Sequence, residues 1–315
     1  MFKETLTPNH WLIITNPTAG KRRYKRQRRF VQNELDKAGI SYILKLTAYS
    51  GHAIEIAKEY TKRGCLNFLV LGGDGTVSEV VNGIFAAQPK DSSKIKLALL
   101  PRGTGNDWGR FWKLTKNDKA SLAVFLKGKT QLIDIGKVDY RDKEKLHKER
   151  YFINSIGFGL DAEVVNVTHR MKKYVGSFSP LYTVTLVSAV FGYKSFPTKL
   201  KINDKEYNPL LFTMNIANGP YTGGGIKQNP QAVPYDGIFD MMFVEKPTVK
   251  DILTALGKLF NGKLTKHPAI NYFRTKEVSV EVEKHIPVEA DGLILKDATN
   301  YSISIIPNAI QMVVP

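Results

Sequence analysis

Gly72-Gly73-Asp74-Gly75-Thr76 follows the apolar run Phe68-Leu69-Val70-Leu71 directly. Glycines at the end of a buried strand let backbone N–H groups come close to phosphate oxygens. An aspartate among them offers a hard oxygen ligand to a Mg2+ shared with those phosphates. The helical apolar spacing of Val77, Val80, Val81 and Ile84 aims a helix N-terminus at the same anion. The chemistry these residues suit is polyphosphate binding; for one loop alone, a turn that uses glycine only for its geometry is the competing reading. A second loop, Pro101-Arg102-Gly103-Thr104-Gly105-Asn106-Asp107, has the same character. Proline ends a strand, glycines open the backbone, and Thr104 and Asn106 offer hydrogen bonds.

The elements that must position these loops alternate. Strand-like runs at 11–15, 42–47, 68–71 and 95–100 are separated by helical segments at about 21–38, 50–60 and after residue 76. That order indicates a parallel α/β sheet, in which ligands gather at the carboxyl ends of the strands. Four loops fall there: 16–20, 47–52, 72–76 and 101–107. After about residue 131 the texture changes to short alternating runs at 132–138, 151–155, 199–202, 210–217, 239–244 and 278–282, which read as an antiparallel sandwich. Helical stretches near 180–192 and 248–261 interrupt it, 142–150 reads as a solvated hairpin tip, and the run 301–306 returns to the first domain. The expected fold is α/β plus all-β: an N-terminal Rossmann-like α/β nucleotide domain over 1–130 with about 298–315, and a C-terminal antiparallel β-sandwich over 131–297.

Composition narrows the partners. The 315 residues carry a net charge of +17, which favours anions such as nucleotide phosphates or an acidic membrane surface. The densest basic cluster, Lys21-Arg22-Arg23-Tyr24-Lys25-Arg26-Gln27-Arg28-Arg29, follows the turn at 16–20; no nucleic-acid motif accompanies it, so nucleic acid is not expected as a partner. The single cysteine, Cys65, leaves no internal disulfide and fits a reducing cytoplasm. No leader-like segment opens the sequence and no run is apolar enough to span a bilayer. The stretch 248–260 places Ile252, Leu256, Leu259 and Phe260 on one helical face, flanked by Lys250 and Lys258. This suits either an interfacial helix or an ordinary helix packed on a core.

On these motifs the sequence resembles the diacylglycerol kinase catalytic-domain family, which includes soluble bacterial lipid kinases and the sphingosine and ceramide kinases. Asn16-Pro17-Thr18-Ala19-Gly20-Lys21 is similar to the family's first nucleotide loop, and Thr47 with Gly51-His52-Ala53 to its second. The loops 72–76 and 101–107 resemble its two signature loops, and Gly223-Gly224-Gly225 with Pro230, Ala232, Asp236-Gly237 and Asp240 resembles a glycine-rich turn plus a structural Mg2+ loop. The resemblance implies an ATP-dependent lipid kinase with the nucleotide in a cleft between two domains, working peripherally at the membrane. Asp74 would hold the catalytic Mg2+, supported by Asp134, for which a capped strand end is the alternative. Asn16, Pro17, Thr18, Ala19, Gly20, Lys21, Thr47, Gly72, Gly73, Gly75, Thr76, Glu79, Thr104 and Asn106 would bind ATP. Asp236 with the carbonyls of Val233 and Ile238 would hold the structural ion.

One position departs from the family pattern. The family's Asp-Gly-Glu is here Asp291-Gly292-Leu293, in the stretch Glu289-Ala290-Asp291-Gly292-Leu293. Leucine cannot accept a proton, and a positioned base contributes roughly 10²–10⁴-fold, though a loose phosphoryl transition state needs little deprotonation before attack. Asp291, Glu289 or Asp74 would then serve as the acid of the site, or the acceptor is unusual, or the protein binds nucleotide and lipid with weak or no turnover. An NAD kinase-like enzyme is the rival class, because it shares the Gly-Gly-Asp-Gly-Thr loop. Which lipid is accepted, and whether a strand edge of the second domain pairs into a homodimer, stay open.

Overall fold

The structure, a computed structural model, describes residues 9–17, 24–175, 181–190, 192–295 and 298–315. It divides into two compact units, 1–133 with 308–315 and 134–307.

The first unit runs β1 (Trp11–Thr15), α1 (Tyr24–Lys37), β2 (Tyr42–Leu46), α2 (His52–Lys62), β3 (Asn67–Gly72), α3 (Asp74–Ala86), β4 (Lys96–Pro101), α4 (Asp107–Phe111) and α5 (Asp118–Lys127). Its strands are parallel in the order β4-β3-β1-β2. β3 is buried along its whole length, as a strand covered on both faces must be. Register fixes what matters for a site. Thr15 lies opposite both Leu46 and Leu71, and Gly72 lies opposite Pro101, so the carboxyl ends of the strands stand side by side. A core of Ile13, Leu69, Leu71, Ala98 and Leu100 packs against Val31 and Leu35 of α1 and Leu122 and Phe125 of α5. Neither α4 nor α5 is expected from the sequence pattern. Both are short, and α5 is started by the Asn117 side chain, which accepts the Ala120 N–H.

The chain leaves the first unit within β5 (Thr130–Arg141). The second unit continues with β6 (His147–Phe152), β7 (Ser155–Gly159), α6 (Leu160–Val175), α7 (Leu181–Val190), β8 (Phe196–Ile202), β9 (Lys205–Tyr207), β10 (Leu210–Ala217), β11 (Phe239–Glu245), α8 (Val249–Phe260), β12 (Ile270–Thr275), β13 (Glu277–Val282), β14 (Val288–Ala290), β15 (Leu293–Ile294) and β16 (Asn300–Val313). One sheet has the order β15-β14-β7-β10-β11-β12, and the other β6-β5-β16-β13-β8-β9. The pairs β15-β14, β14-β7, β7-β10, β10-β11, β11-β12, β6-β5, β16-β13, β13-β8 and β8-β9 are antiparallel, in keeping with the alternating pattern, and the sheets meet where β10 pairs with the start of β8. Phe152, Phe158, Met214, Phe239, Met241, Val280 and Tyr301 are among the residues that fill the space between them. The hairpin tip is 142–146, where the Asp142 carboxylate accepts the N–H groups of Glu144 and Leu146; the rest of the expected tip, 147–150, already belongs to β6. The last part of β16 belongs to the first unit, where Gln311 and Met312 pair parallel to β4.

On the outer face of the first-named sheet, register lines up Glu289, Gly157, Asn215, Met242 and Tyr272 across β14, β7, β10, β11 and β12. The second apolar cluster lies over this face. Leu160 and Val164 of α6, Leu186 and Val190 of α7 and Leu259 of α8 meet Phe212 and Met242 there. The sequence pattern gives no helix at 160–175, yet Leu160, Val164 and Thr168 recur at helical spacing and are buried together.

Candidate functional site

In the first unit the two glycine loops touch backbone to backbone. A Cβ on Gly73 would lie 2.7 Å from the Gly103 Cα, and one on Gly103 would lie 2.8 Å from the Gly73 Cα. No side chain fits at either position, so glycine here serves close approach and not only a turn. Gly73 is extended and precedes α3; its carbonyl accepts the N–H groups of Thr76 and Val77. The Thr76 amide thus closes the first helical turn, and its hydroxyl packs over Gly72.

Asp74 ties the loops together. Its two carboxylate oxygens accept the N–H groups of Trp108 and Asp107, each at 3.1 Å, at the start of α4. Burial pushes its pKa up, and these amide bonds pull the other way. Asp107, the last residue of the 101–107 loop, is also buried, and no motif in the sequence assigns it a role. Asn106 adopts the left-handed conformation and donates to the Gly103 carbonyl at 2.7 Å. Its Oδ1 is buried and has no hydrogen-bond partner among the described residues. Arg102 turns away to pair with Asp118 of α5, which Gln27 of α1 also contacts; burial lowers its pKa to about 10.

The other loops at this sheet end are built differently. The Glu79 carboxylate accepts from Gly51 N at 2.9 Å and Ala53 N at 3.2 Å. It caps α2 from α3 and so positions the 47–52 loop, where Thr47 is buried and bonded to the Thr15 carbonyl. Asn16 N bonds the Leu71 carbonyl, and Pro17 ends the described part of that loop. Thr18, Ala19, Gly20 and Lys21, with Arg22 and Arg23, lie outside the described residues.

In the second unit, Asp134 is buried and its carboxylate accepts Gly237 N at 2.7 Å, while its own N–H bonds the Pro234 carbonyl. It fastens the 233–238 loop. In that loop the Val233 carbonyl accepts Tyr235 N at 2.8 Å, and Asp236 accepts Ile238 N at 3.2 Å and pairs with Arg274. Where the sequence reading expects a cation held by Val233, Asp236 and Ile238, a guanidinium lies on the carboxylate.

Asp291 and Gly292, both at positive φ, form the two-residue turn between β14 and β15. The Asp291 carboxylate accepts the N–H groups of Ile153 and Asn154 at 2.9 Å and of Ser155 at 3.3 Å. Burial raises its pKa to about 6. Engaged on three amides, it braces the bend before β7; the sequence reading placed it among the catalytic residues. Leu293 lies opposite Ala290 and Glu289 opposite Ile294, so Leu293 and Glu289 address opposite faces of the sheet.

Glu289 instead meets Asp161, from the first turn of α6, above Gly157. A Cβ on Gly157 would lie 2.5 Å from Asp161 Oδ2 and 2.8 Å from Glu289 Oε1. Asn215 donates to Asp161 at 2.7 Å and accepts from Asn229 at 2.6 Å. Burial, then the charge of Asp161, raise the pKa of Glu289 well above the usual carboxylate range. Asp161 also lines an apolar cavity of about 100 Å3 among Leu160, Val190, Phe212, Met242, Leu256 and Leu259. The sequence reading missed Asp161, because only the register of β7 and the start of α6 bring it over Gly157. Leu186 and Val190 of α7 line this cavity. Ile252, Leu256 and Leu259 line it too, so of the two alternatives for this face of α8 the structure has the one packed inward. The exposed apolar residues of that helix are Val249 and Leu253, at 63% and 56%. No described helix is long and apolar enough to cross a membrane.

Comparison with known proteins agrees with this architecture. Residues 10–138 match the diacylglycerol kinase catalytic domain, and residues 154–314 match the YegS C-terminal NAD kinase beta sandwich-like domain. A diacylglycerol kinase of Staphylococcus saprophyticus is 30% identical over 283 residues, 89% of this chain and 87% of that one. The Staphylococcus carnosus diacylglycerol kinase is 29% identical with the same coverage. Among solved structures, a diacylglycerol kinase from Bacillus anthracis superposes with a TM-score of 0.73 at 20% identity, covering 98% and 97% of the two chains. Yeast NADH kinase complexed with NADH reaches 0.58 at 11% identity, covering 98% and 84%; both structural likenesses are of fold. The four loops at the strand ends, the sandwich that follows and these matches along nearly the whole sequence give one result: the chain belongs to the diacylglycerol kinase catalytic-domain family of lipid kinases.

Proposed function

We propose that the protein transfers the γ-phosphate of ATP to the hydroxyl of a lipid alcohol, with diacylglycerol as the default acceptor. The observation that carries this reading is an apolar cavity with a buried carboxylate, Asp161, in its wall. At about 100 Å3 it is narrower than the ~300–1,000 Å3 of a drug-sized ligand site, which suits a slender chain better than a ring system. Asp161 and Glu289, the latter held above the usual carboxylate range by burial and by the charge of Asp161, are the groups placed to receive the hydroxyl of a molecule whose tail fills the cavity.

The nucleotide belongs, in this reading, to the loops of the first unit. Asp74 and the buried Asp107 are carboxylates on adjoining loops, and hard oxygen donors of this kind fit Mg2+. When bound, the ion neutralises phosphate charge, which is most of what phosphoryl transfer asks of a protein. Thr47, Thr104 and the unpartnered Asn106 Oδ1 orient the nucleotide, and Gly73 and Gly103 keep the floor free of side chains. Val184 and Val187 of α7 and Val249 and Leu253 of α8 are exposed near the cavity, with Lys250 and Lys258 on α8. Apolar groups beside cations suit peripheral contact with an anionic membrane.

Leu293 favours a second reading, binding with weak or no turnover. The test is transfer of labelled γ-phosphate from Mg-ATP to mixed micelles carrying a lipid panel, with NAD as a soluble rival acceptor. Labelled lipid that falls by at least about 10²-fold in Asp74→Asn is the expected result. Labelled NAD would overturn the lipid acceptor, and ATP binding without any transfer would favour the second reading.

A further inference from the structure

The resemblance to lipid kinases implies a structural divalent cation in the loop that carries Asp236, and the residues present do not fit one. Asp236 Oδ1 accepts Ile238 N at 3.2 Å and Oδ2 accepts the Arg274 guanidinium. The Val233 carbonyl is taken by Tyr235 N. Mg2+ needs near-octahedral oxygen coordination, and two of the three expected ligands already serve other donors. Arg274 is no chance visitor: β11 and β12 pair so that it lies directly opposite Asp240. From there its Nε is 3.8 Å from the fully buried Asp240, while its Nη2 reaches Asp236. Tyr272, diagonal on the same face, donates its hydroxyl to Asp240. A planar guanidinium can hydrogen-bond one carboxylate and neutralise a second at ion-pair distance without ligand exchange; here Asp236 takes the hydrogen bond and Asp240 Oδ2 is paired by charge alone.

We infer that in this chain the Arg274 guanidinium takes the place of the structural cation, linking Asp236 and Asp240, so that the 233–240 loop holds its shape without metal. Asp134, which grips the loop through Gly237 N, is then positioned independently of divalent ions.

The test is thermal unfolding of the full chain without nucleotide, in excess EDTA and in a Mg2+ or Mn2+ series. The wild-type midpoint should be the same in EDTA and in Mg2+. Arg274→Gln should lower it by several degrees in both, on the scale of about 2–4 °C per kcal/mol for chains of this order, and Arg274→Lys should recover part of the loss. A saturable rise of the wild-type midpoint with Mg2+ that Asp236→Asn abolishes and Asp74→Asn leaves intact would overturn the inference. So would an Arg274→Gln midpoint in EDTA equal to wild type. Whether the acceptor is a lipid does not enter either readout.

Discussion

Residue by residue, the first-unit site depends on what is missing as much as on what is present. Gly103→Ala places a methyl 2.8 Å from the Gly73 Cα, and backbone on both sides cannot swing away as a side chain would. Separation of the two loops is expected, at about 1–3 kcal/mol by the usual cost of overpacking, with ATP affinity falling in parallel; a titration calorimeter and a melting curve measure both. Glu289 gives a prediction in pH. Its folded pKa is raised well above the usual value, so its contribution to stability is fully present below the unfolded pKa and is lost as pH rises through the folded one. Glu289→Gln carries no such charge. The midpoint of wild type minus that of the variant should therefore grow as pH falls from about 8 to 5. A difference that stays flat would show that Glu289 ionises normally.

At the scale of elements, the helices over the sandwich have two apolar sides. Leu186 and Val190 of α7 and Ile252 and Leu256 of α8 face the cavity, while Val184, Val187, Val249 and Leu253 face solvent. α7 carries no charged residue, and a helix that is apolar all round is expected to be buried or to meet lipid; α8 sets Val249 and Leu253 beside Lys250 and Lys258, as an interfacial helix does. The double change Val249→Asp and Leu253→Asp should leave the melting midpoint within about 1–2 °C, since surface changes stay within about ±0.5 kcal/mol. It should weaken sedimentation with anionic vesicles several-fold. Unchanged vesicle binding would move the docking surface elsewhere, the basic face of α1 being next in line.

The same helices show what a sequence can and cannot disclose. The loops at 72–76 and 101–107 are legible because glycine, proline and aspartate act on their own backbone. Strands such as 11–15 and 210–217 are legible because burial imposes a local period. Glu289 beside Asp161, Arg274 opposite Asp240 and Asp74 on the amides of α4 depend on contacts between segments distant in sequence, which no local pattern encodes. The 248–260 stretch leaves two alternatives open for a related reason. Periodicity shows that Ile252, Leu256 and Leu259 share a side, but not that a sheet lies against it.

Across the whole molecule, the two crossings of the chain have a consequence for the order of events during synthesis. The first unit needs residues 308–315. Gln311 N bonds the Ile95 carbonyl, its side chain bonds the Ser93 carbonyl, and Val314 N bonds the Lys129 carbonyl. Until that segment emerges from the ribosome, β4 presents an unpaired, apolar edge of the sort that recruits other chains. A nascent chain halted near residue 300 should therefore be captured by chaperones and cleaved by protease within 96–101, whereas one extended past 315 should be protected there. The first unit is made first and finished last.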